Sequence, residues 1–266
     1  MERWRSYDSI ADVYDLLVVP TVFAQPATDL VGALRPPAEG ILLDVGTGTG
    51  VCATVARQCM APAGTVIGVD PSLGMLRLAK RKGLVVAGLV PGLPFRDSIF
   101  DTVVASFVLS HFRSYQIALL DIVRILKTGG KLGVTTWCLD KTDCRRLWQE
   151  TAESFVGKEE LARASREALP WEEWFSETDR VKEALEMAGI AAIEIEKHEY
   201  SVKLPVSDFL AVRDIGMQAR FVREKLGVEL WQQFRETIAQ KFYTHFGAAV
   251  EDVRHAYIAV GAKPST

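Results

Sequence analysis

Residues 41–51 read Ile-Leu-Leu-Asp-Val-Gly-Thr-Gly-Thr-Gly-Val. Three apolar residues run into an acid, and three glycines follow at alternate positions. A second apolar run, Val66-Ile67-Gly68-Val69, ends in another acid, Asp70. Strand, glycine turn, helix, strand, acid is the outline of a nucleotide-binding βαβ unit. Parallel strands joined by helices need both sheet faces covered. This one segment therefore commits the chain to an α/β architecture.

The surrounding pattern agrees. Strands are expected at 41–45, 65–70, 84–87, 100–107 and 131–137. Helices are expected between them at 51–60, 72–81 and 115–126. Thr128-Gly129-Gly130 is expected to stop the last of these, with glycine supplying a left-handed cap. Residues 7–19 carry Ile10, Val13, Tyr14 and Leu17 at helical spacing, and Pro20 should end or redirect that helix. A second helix is expected at 26–34. Residues 138–178 are helical, charged and rich in Trp. Residues 179–188 form an amphipathic helix closed by Gly189, 190–200 alternate as a strand, 206–249 are mostly helical, and 256–262 close as a final strand.

Two ligand classes compete for the glycine turn. A dinucleotide fingerprint wants Gly-x-Gly-x-x-Gly/Ala, whose last small residue lets helix and strand pack closely. Here the phase is Gly46-x-Gly48-x-Gly50, with Val51 at that last position. Asp44 would also set a negative charge beside a pyrophosphate. An ammonium group, by contrast, needs an anion nearby. The turn therefore favours S-adenosylmethionine over NAD or FAD, and a nicotinamide oxidoreductase is the disfavoured reading.

Further motifs extend the match. They are Tyr7-Asp8-Ser9-Ile10-Ala11-Asp12-Val13-Tyr14-Asp15, Asp70-Pro71-Ser72-x-x-Met75-Leu76, Leu93-Pro94-Phe95 with Phe100-Asp101, and Leu126-Lys127-Thr128-Gly129-Gly130. In this order they resemble the class I S-adenosylmethionine-dependent methyltransferases, in particular the small-molecule branch that includes the ubiquinone/menaquinone-biosynthesis type. Two departures stand out. Thr128 replaces the usual proline, and Leu89 stands where the family usually has an acid facing the adenine amine.

The resemblance implies a Rossmann-like, doubly wound seven-stranded sheet, mostly parallel with an antiparallel last strand, plus helical lid or cap inserts. It implies one methyltransferase domain over 1–266, with a core at about 36–137, 179–200 and 251–263 and lid segments at about 1–35, 138–178 and 201–250. The cofactor is then S-adenosyl-L-methionine, with S-adenosyl-L-homocysteine as product. Asp44 would face the methionine ammonium, and Gly46, Thr47 and Gly48 would let the backbone approach the methionine and ribose. Asp70, followed by Pro71, would accept from the ribose hydroxyls. Met75 would pack near the adenine, with Leu89 at the adenine edge. Ser106 and Phe107 would contact the methionine end, and Tyr14 would lie over the sulfonium.

Methyl transfer needs alignment, exclusion of water and, for a neutral nucleophile, removal of a proton. His111, in Ser110-His111-Phe112, is the candidate base, set against a purely structural role in capping or packing. Trp137, Trp148, Trp171, Trp174, Phe175, Phe209, Phe221 and Trp231 crowd the inserts, either as ordinary packing or as a roof over an aromatic acceptor. Trp137 stands out because it ends a strand at the cofactor edge.

Net charge is −3 from 31 basic and 34 acidic residues, which offers no global attraction to nucleic acid or anionic membrane. Lys80-Arg81-Lys82 suits a solvated helix C-terminus. No cysteine pair or Cys/His cluster has zinc-site spacing, so no metal is expected. Cys52 and Cys59 are expected to be small buried side chains. No apolar run is expected to reach membrane-spanning length, since Pro20 interrupts the N-terminal one. The expectation is a cytoplasmic enzyme with a small-molecule acceptor, no nucleic-acid partner, no membrane insertion and an open oligomeric state. A protein that binds the same cofactor without transferring its methyl group is the second reading.

Overall fold

The computed structural model describes residues 3–140 and 142–265. Seven strands form one sheet: β1 (Ile41–Val45), β2 (Thr65–Asp70), β3 (Leu84–Ala87), β4 (Phe100–Ser106), β5 (Leu126–Cys138), β6 (Ala191–Pro205) and β7 (Ala249–Ala262). Their order is β3-β2-β1-β4-β5-β7-β6. The first five are mutually parallel, and β7 runs antiparallel to both β5 and β6. The sheet is thus doubly wound, and the strand order reverses at β1/β4. Ligands of such sheets bind at that reversal, outside the carboxyl ends of the strands.

The period-2 alternation of β1 divides its side chains between two layers. Leu42 packs with Leu30, Leu34, Cys52 and Ala56, from helices α2 (Ala24–Leu34) and α3 (Val51–Cys59). Leu43 and Val45 pack on the other face with Leu119 and Ile122 of α5 (Tyr115–Ile125) and Leu185 of α8 (Thr178–Met187). Asp44 shares the Leu42 face, which turns it toward the start of α3. Between β2 and β3 lies α4 (Leu73–Ala79), capped by the Ser72 hydroxyl, which accepts from the Met75 N–H.

A separate apolar core holds the helical cap. It is built from α6 (Asp143–Val156), α7 (Lys158–Ala168), α9 (Val206–Ile215) and α10 (Met217–Phe246), with Trp4 from the N-terminal segment. Trp148, Phe209, Phe234 and Phe242 are essentially inaccessible at its centre. Each such side chain contributes roughly 1.5–3 kcal/mol by burial. Gly227, at φ 71° and ψ −171°, breaks α10 into two helical stretches.

Several expectations are corrected. Pro20 does not end the N-terminal helix. After α1 (Ala11–Val13), residues Tyr14–Phe23 widen into a π-helical stretch that carries the chain past Pro20 and into α2. A proline lacks the N–H that an α-helical ladder needs, and the wider turn accommodates the loss. As a result the helical run Asp8–Leu34 is long and apolar enough, by length and composition, to cross a membrane, against the expectation from sequence. Ala27, Leu30, Val31 and Leu34 of that run are buried against the sheet, and 33% of its apolar window is buried.

Gly129 does not cap α5. That helix ends at Ile125, Leu126 already pairs with Phe100, and Gly129 takes its φ of 74° in the bend that follows. Strands β6 and β7 are also longer than expected, because they pair with each other along Glu194–Pro205. Cys52 is buried as expected, but Cys59 is exposed at the end of α3.

Candidate active site

The glycine turn is fixed by its neighbours as much as by its own residues. Gly46, Gly48 and Gly50 all have positive φ, at 67°, 54° and 90°. A Cβ on Gly46 would lie 2.5 Å from Val108 Cγ2, so both conformation and space demand glycine there. The turn folds over the end of β2: the N–H groups of Gly46 and Thr47 donate to the Val69 carbonyl at 2.8 and 3.0 Å. Gly68 is bare for the same reason, since a Cβ there would meet the Thr47 side chain at 2.7 Å.

Asp44 is only 1% exposed and binds the turn from below. Its Oδ2 accepts from the Thr47 hydroxyl at 2.7 Å and from the Ala53 N–H at 3.1 Å. The second contact satisfies one of the orphan donors at the start of α3, where a negative charge is favoured. Burial nevertheless pushes the Asp44 carboxyl up to about 7, and these two hydrogen bonds offset only part of that. Asp70, at the end of β2, accepts from the Gly48 N–H at 2.9 Å through Oδ2 and from the Ser72 N–H at 2.8 Å through Oδ1. Burial raises its pKa as well. Each of its oxygens keeps a further lone pair for a hydroxyl donor.

The N-terminal segment closes over this edge. Asp8 Oδ1 accepts from the Ser72 hydroxyl and the Gly74 N–H, both at 2.8 Å. A Cβ on Gly74 would lie 2.4 Å from the Asp8 carbonyl oxygen, so glycine lets the segment dock. Met75 is 2% exposed and packs with Ala11, Leu78, Tyr7 and Tyr14, which places it beneath that segment. Pro71 is exposed beside Asp70, and Leu89 is 68% exposed just past β3.

The end of β4 forms the opposite wall. Ser106 and Thr135 share a hydroxyl hydrogen bond at 2.7 Å, and the Phe107 N–H donates to the Thr135 carbonyl and hydroxyl. Phe107 is held at φ 52°, a sparsely populated conformation for a bulky residue. Its ring stacks on Trp137 with centroids 4.0 Å apart, and Phe23 abuts both rings. Tyr14 stacks on Phe23, and Tyr7 meets both Tyr14 and His111 edge-on at 6.0 Å. His111 is exposed, with its ring against Tyr7 and near enough protein to be desolvated in part. Both facts hold for a group lining a cleft. Burial, with a smaller push from Arg220, lowers its pKa to about 4, so the imidazole is neutral at pH 7.

These residues describe a cradle that fits the methionine and ribose of an adenosyl cofactor. The backbone beside Gly48 is open, with nothing within 4 Å of where a Cβ would stand, and two carboxylates flank it. A protein-family model described as a methyltransferase domain matches residues 43–134. The demethylmenaquinone methyltransferase of Staphylococcus carnosus is 30% identical over 171 residues, covering 58% of this chain and 68% of that protein. The chain belongs to the class I S-adenosylmethionine-dependent methyltransferases. The demethylmenaquinone methyltransferase of Thermobifida fusca is 37% identical over 139 residues, or 47% of this chain and 57% of that enzyme. The chain thus spans less than two thirds of the length of the Thermobifida fusca enzyme.

Solved structures share the fold. The YcgJ protein of Bacillus subtilis superposes with a TM-score of 0.59 at 16% identity, covering 91% of this chain and 100% of that one. Phosphoethanolamine N-methyltransferase 2 of Haemonchus contortus, in complex with S-adenosyl-L-methionine, gives 0.59 at 17% identity over 97% of this chain and 57% of its own.

The motif residues gather at the β1/β4 edge, but other contributors carry no local signal. Phe23 reaches the site only because the helix passes Pro20. Arg220 comes from α10, where its guanidinium lies 4.9 Å from the Tyr7 ring and donates to the Ser6 carbonyl. The Trp-rich inserts separate into distinct groups. Trp148 and Trp231 belong to the cap core, Trp171 and Trp174 pack against the sheet core, and Trp137 faces the site. A cavity of about 150 Å³ lies near Met60 and Val66, at the start of β2 and so at the opposite end of the sheet.

Proposed function

We propose that the protein transfers the methyl group of S-adenosylmethionine to a small, apolar or aromatic organic acceptor. The observation that carries the reading is the paired placement of Asp44 and Asp70 around an open, positive-φ glycine turn at the sheet's switch point. Family membership and the names of the relatives support it. When bound, the cofactor supplies an electrophilic methyl on a sulfonium.

The chain's own residues would then do three things. Asp44 and Asp70 would hold the amine and the ribose hydroxyls. Tyr7, Tyr14 and the segment docked by Asp8 would exclude water from the reacting atoms. The stacked Phe107 and Trp137 would seat a flat acceptor against the methyl, contributing by alignment. His111, neutral at pH 7, would accept the proton from an acceptor hydroxyl or amine, although its low pKa makes it a weak base.

Calorimetric titration with S-adenosylhomocysteine, followed by its detection as product with an acceptor panel, tests the reading. Binding of NAD(H) and neither adenosyl compound would sink it. Binding without product for any acceptor would favour the second reading, a cofactor-binding protein. For the base, His111→Ala should lower turnover well before it weakens cofactor binding. An unchanged pH–rate profile in that variant would dismiss the role.

A further inference from the structure

On its β3 side the cradle ends in an apolar stretch. A nucleoside whose ribose hydroxyls meet Asp70 of β2, and whose amino-acid end runs to Asp44 of β1, turns its base to the other flank of β2. There β3 ends: Ala87 pairs with Asp70, and the Gly88 N–H donates to the Asp70 carbonyl at 3.2 Å. Leu89 follows directly and is 68% exposed. From Leu84 to Phe95 no side chain can accept or donate a hydrogen bond.

The backbone of that loop is largely committed as well. The Gly92 and Leu93 N–H groups donate to Asp121 Oδ2 at 2.7 and 2.8 Å, and Pro91 and Pro94 have no N–H to offer. Arg124 donates to the Leu93 carbonyl at 3.2 Å and to the Phe95 carbonyl at 2.8 Å. The acids that border the loop are engaged too. Asp121 accepts from Arg124 through its other oxygen, and Asp97 pairs with the same guanidinium. Asp8 is turned toward Ser72 and Gly74.

Resting on the S-adenosylmethionine reading, we infer that the chain holds the cofactor's purine without pairing its 6-amino group, and that Leu89 sets this specificity. The base then rests on the Leu89 side chain, with its 6-position toward water. A site built to hydrogen-bond an N–H rejects an analogue that lacks it by orders of magnitude, because a buried partner is left unpaired. An exposed leucine leaves nothing unpaired. Cofactors bare or alkylated at that carbon therefore bind as well as the natural one.

Calorimetry on the whole chain compares S-adenosylhomocysteine with two analogues, one with hydrogen in place of the 6-amino group and one with a 6-dimethylamino group. All three should bind within about threefold of one another. A loss of about tenfold or more for either analogue overturns the inference, since a backbone carbonyl would then read the amine or the rim would be closed. Leu89→Asp should introduce an acceptor. S-adenosylhomocysteine should then outbind the 6-hydrogen analogue by at least about fivefold, as expected for a charge-assisted hydrogen bond. A folded variant that gains no preference puts the base elsewhere and overturns the role of Leu89. The wild-type comparison decides the inference even if the variant misfolds. Failure of S-adenosylhomocysteine itself to bind sinks the cofactor reading and this inference with it, whereas weak binding of the analogues alone sinks only this one.

Discussion

The glycine turn and the helical cap are built on opposite plans. The turn is local: Asp44 to Asp70 form one continuous βαβ unit, and the hydrogen bonds that shape the turn close within that unit, although the buried Thr49 hydroxyl is left unpartnered. The cap is assembled from distant segments. Trp4, Trp148, Phe209 and Phe234 meet in one core although they lie far apart in the chain. The turn therefore leaves a sequence signature that the cap cannot. The two halves should also respond differently to perturbation, the turn through binding and the cap through stability.

The largest effect should come from emptying the cap core. Phe234→Ala removes a fully buried ring and should cost about 3–5 kcal/mol in a denaturant titration. S-adenosylhomocysteine affinity should stay within about twofold, because the two regions share no core. A large loss of cofactor affinity in that variant would break the comparison.

Gly46→Ala should reverse the pattern. The added methyl collides with Val108 and must adopt a positive φ, costing roughly 1–3 kcal/mol of stability. Cofactor binding should fall below detection by calorimetry, since the turn itself must shift. Retention of wild-type affinity would show that the turn is not the cofactor cradle.

A third prediction concerns pH. The Asp44 carboxyl, raised to about 7 by burial, must be ionised to pair with an ammonium. Cofactor affinity should fall below pH 7, by up to about tenfold per unit, and binding near pH 7 should release a proton. Asp44→Asn should bind weakly and flatten the profile.

The stability signs are opposed. The Asp44 contribution is present at low pH and is lost as pH rises through about 7. That of His111 is present above about 6.5 and is lost as pH falls through about 4. Acidification from pH 7 should thus destabilise Asp44→Asn more steeply than the wild type, as read by thermal melts across pH. Identical slopes would remove Asp44 from the account.

The smallest effect should come from the lid's polar latch. Asp8→Ala deletes the hydrogen bonds to Ser72 and Gly74, and it should raise the S-adenosylhomocysteine Kd only about two- to fivefold. A loss as large as that of Gly46→Ala would mean that the docked segment, not the turn, governs the cradle.

Legibility in the sequence follows the same division. The first βαβ unit, the two carboxylates and the glycine phase were readable because the backbone imposes them within a short span. Pro20 misled because the usual consequence of proline assumes an α-helical ladder, and here the ladder is π. Cys59 misled because seven-residue spacing places two side chains on one face without saying where the helix stops being covered. Phe23 and Arg220 had no readable signal. A phenylalanine in an apolar helix and an arginine in a long charged one look the same whether they face a core, solvent or a site.

By itself the sequence determined an α/β sheet with a cradle suited to an adenosyl cofactor, since hydrogen bonding and steric demand act there over neighbouring residues. Only the tertiary structure decided what stands opposite that cradle. Tyr7, His111, Trp137 and Arg220 come from separate elements, and they meet only once those elements pack. Whether a buried arginine has a partner is a property of three-dimensional neighbours, and the order of residues along the chain does not encode it directly.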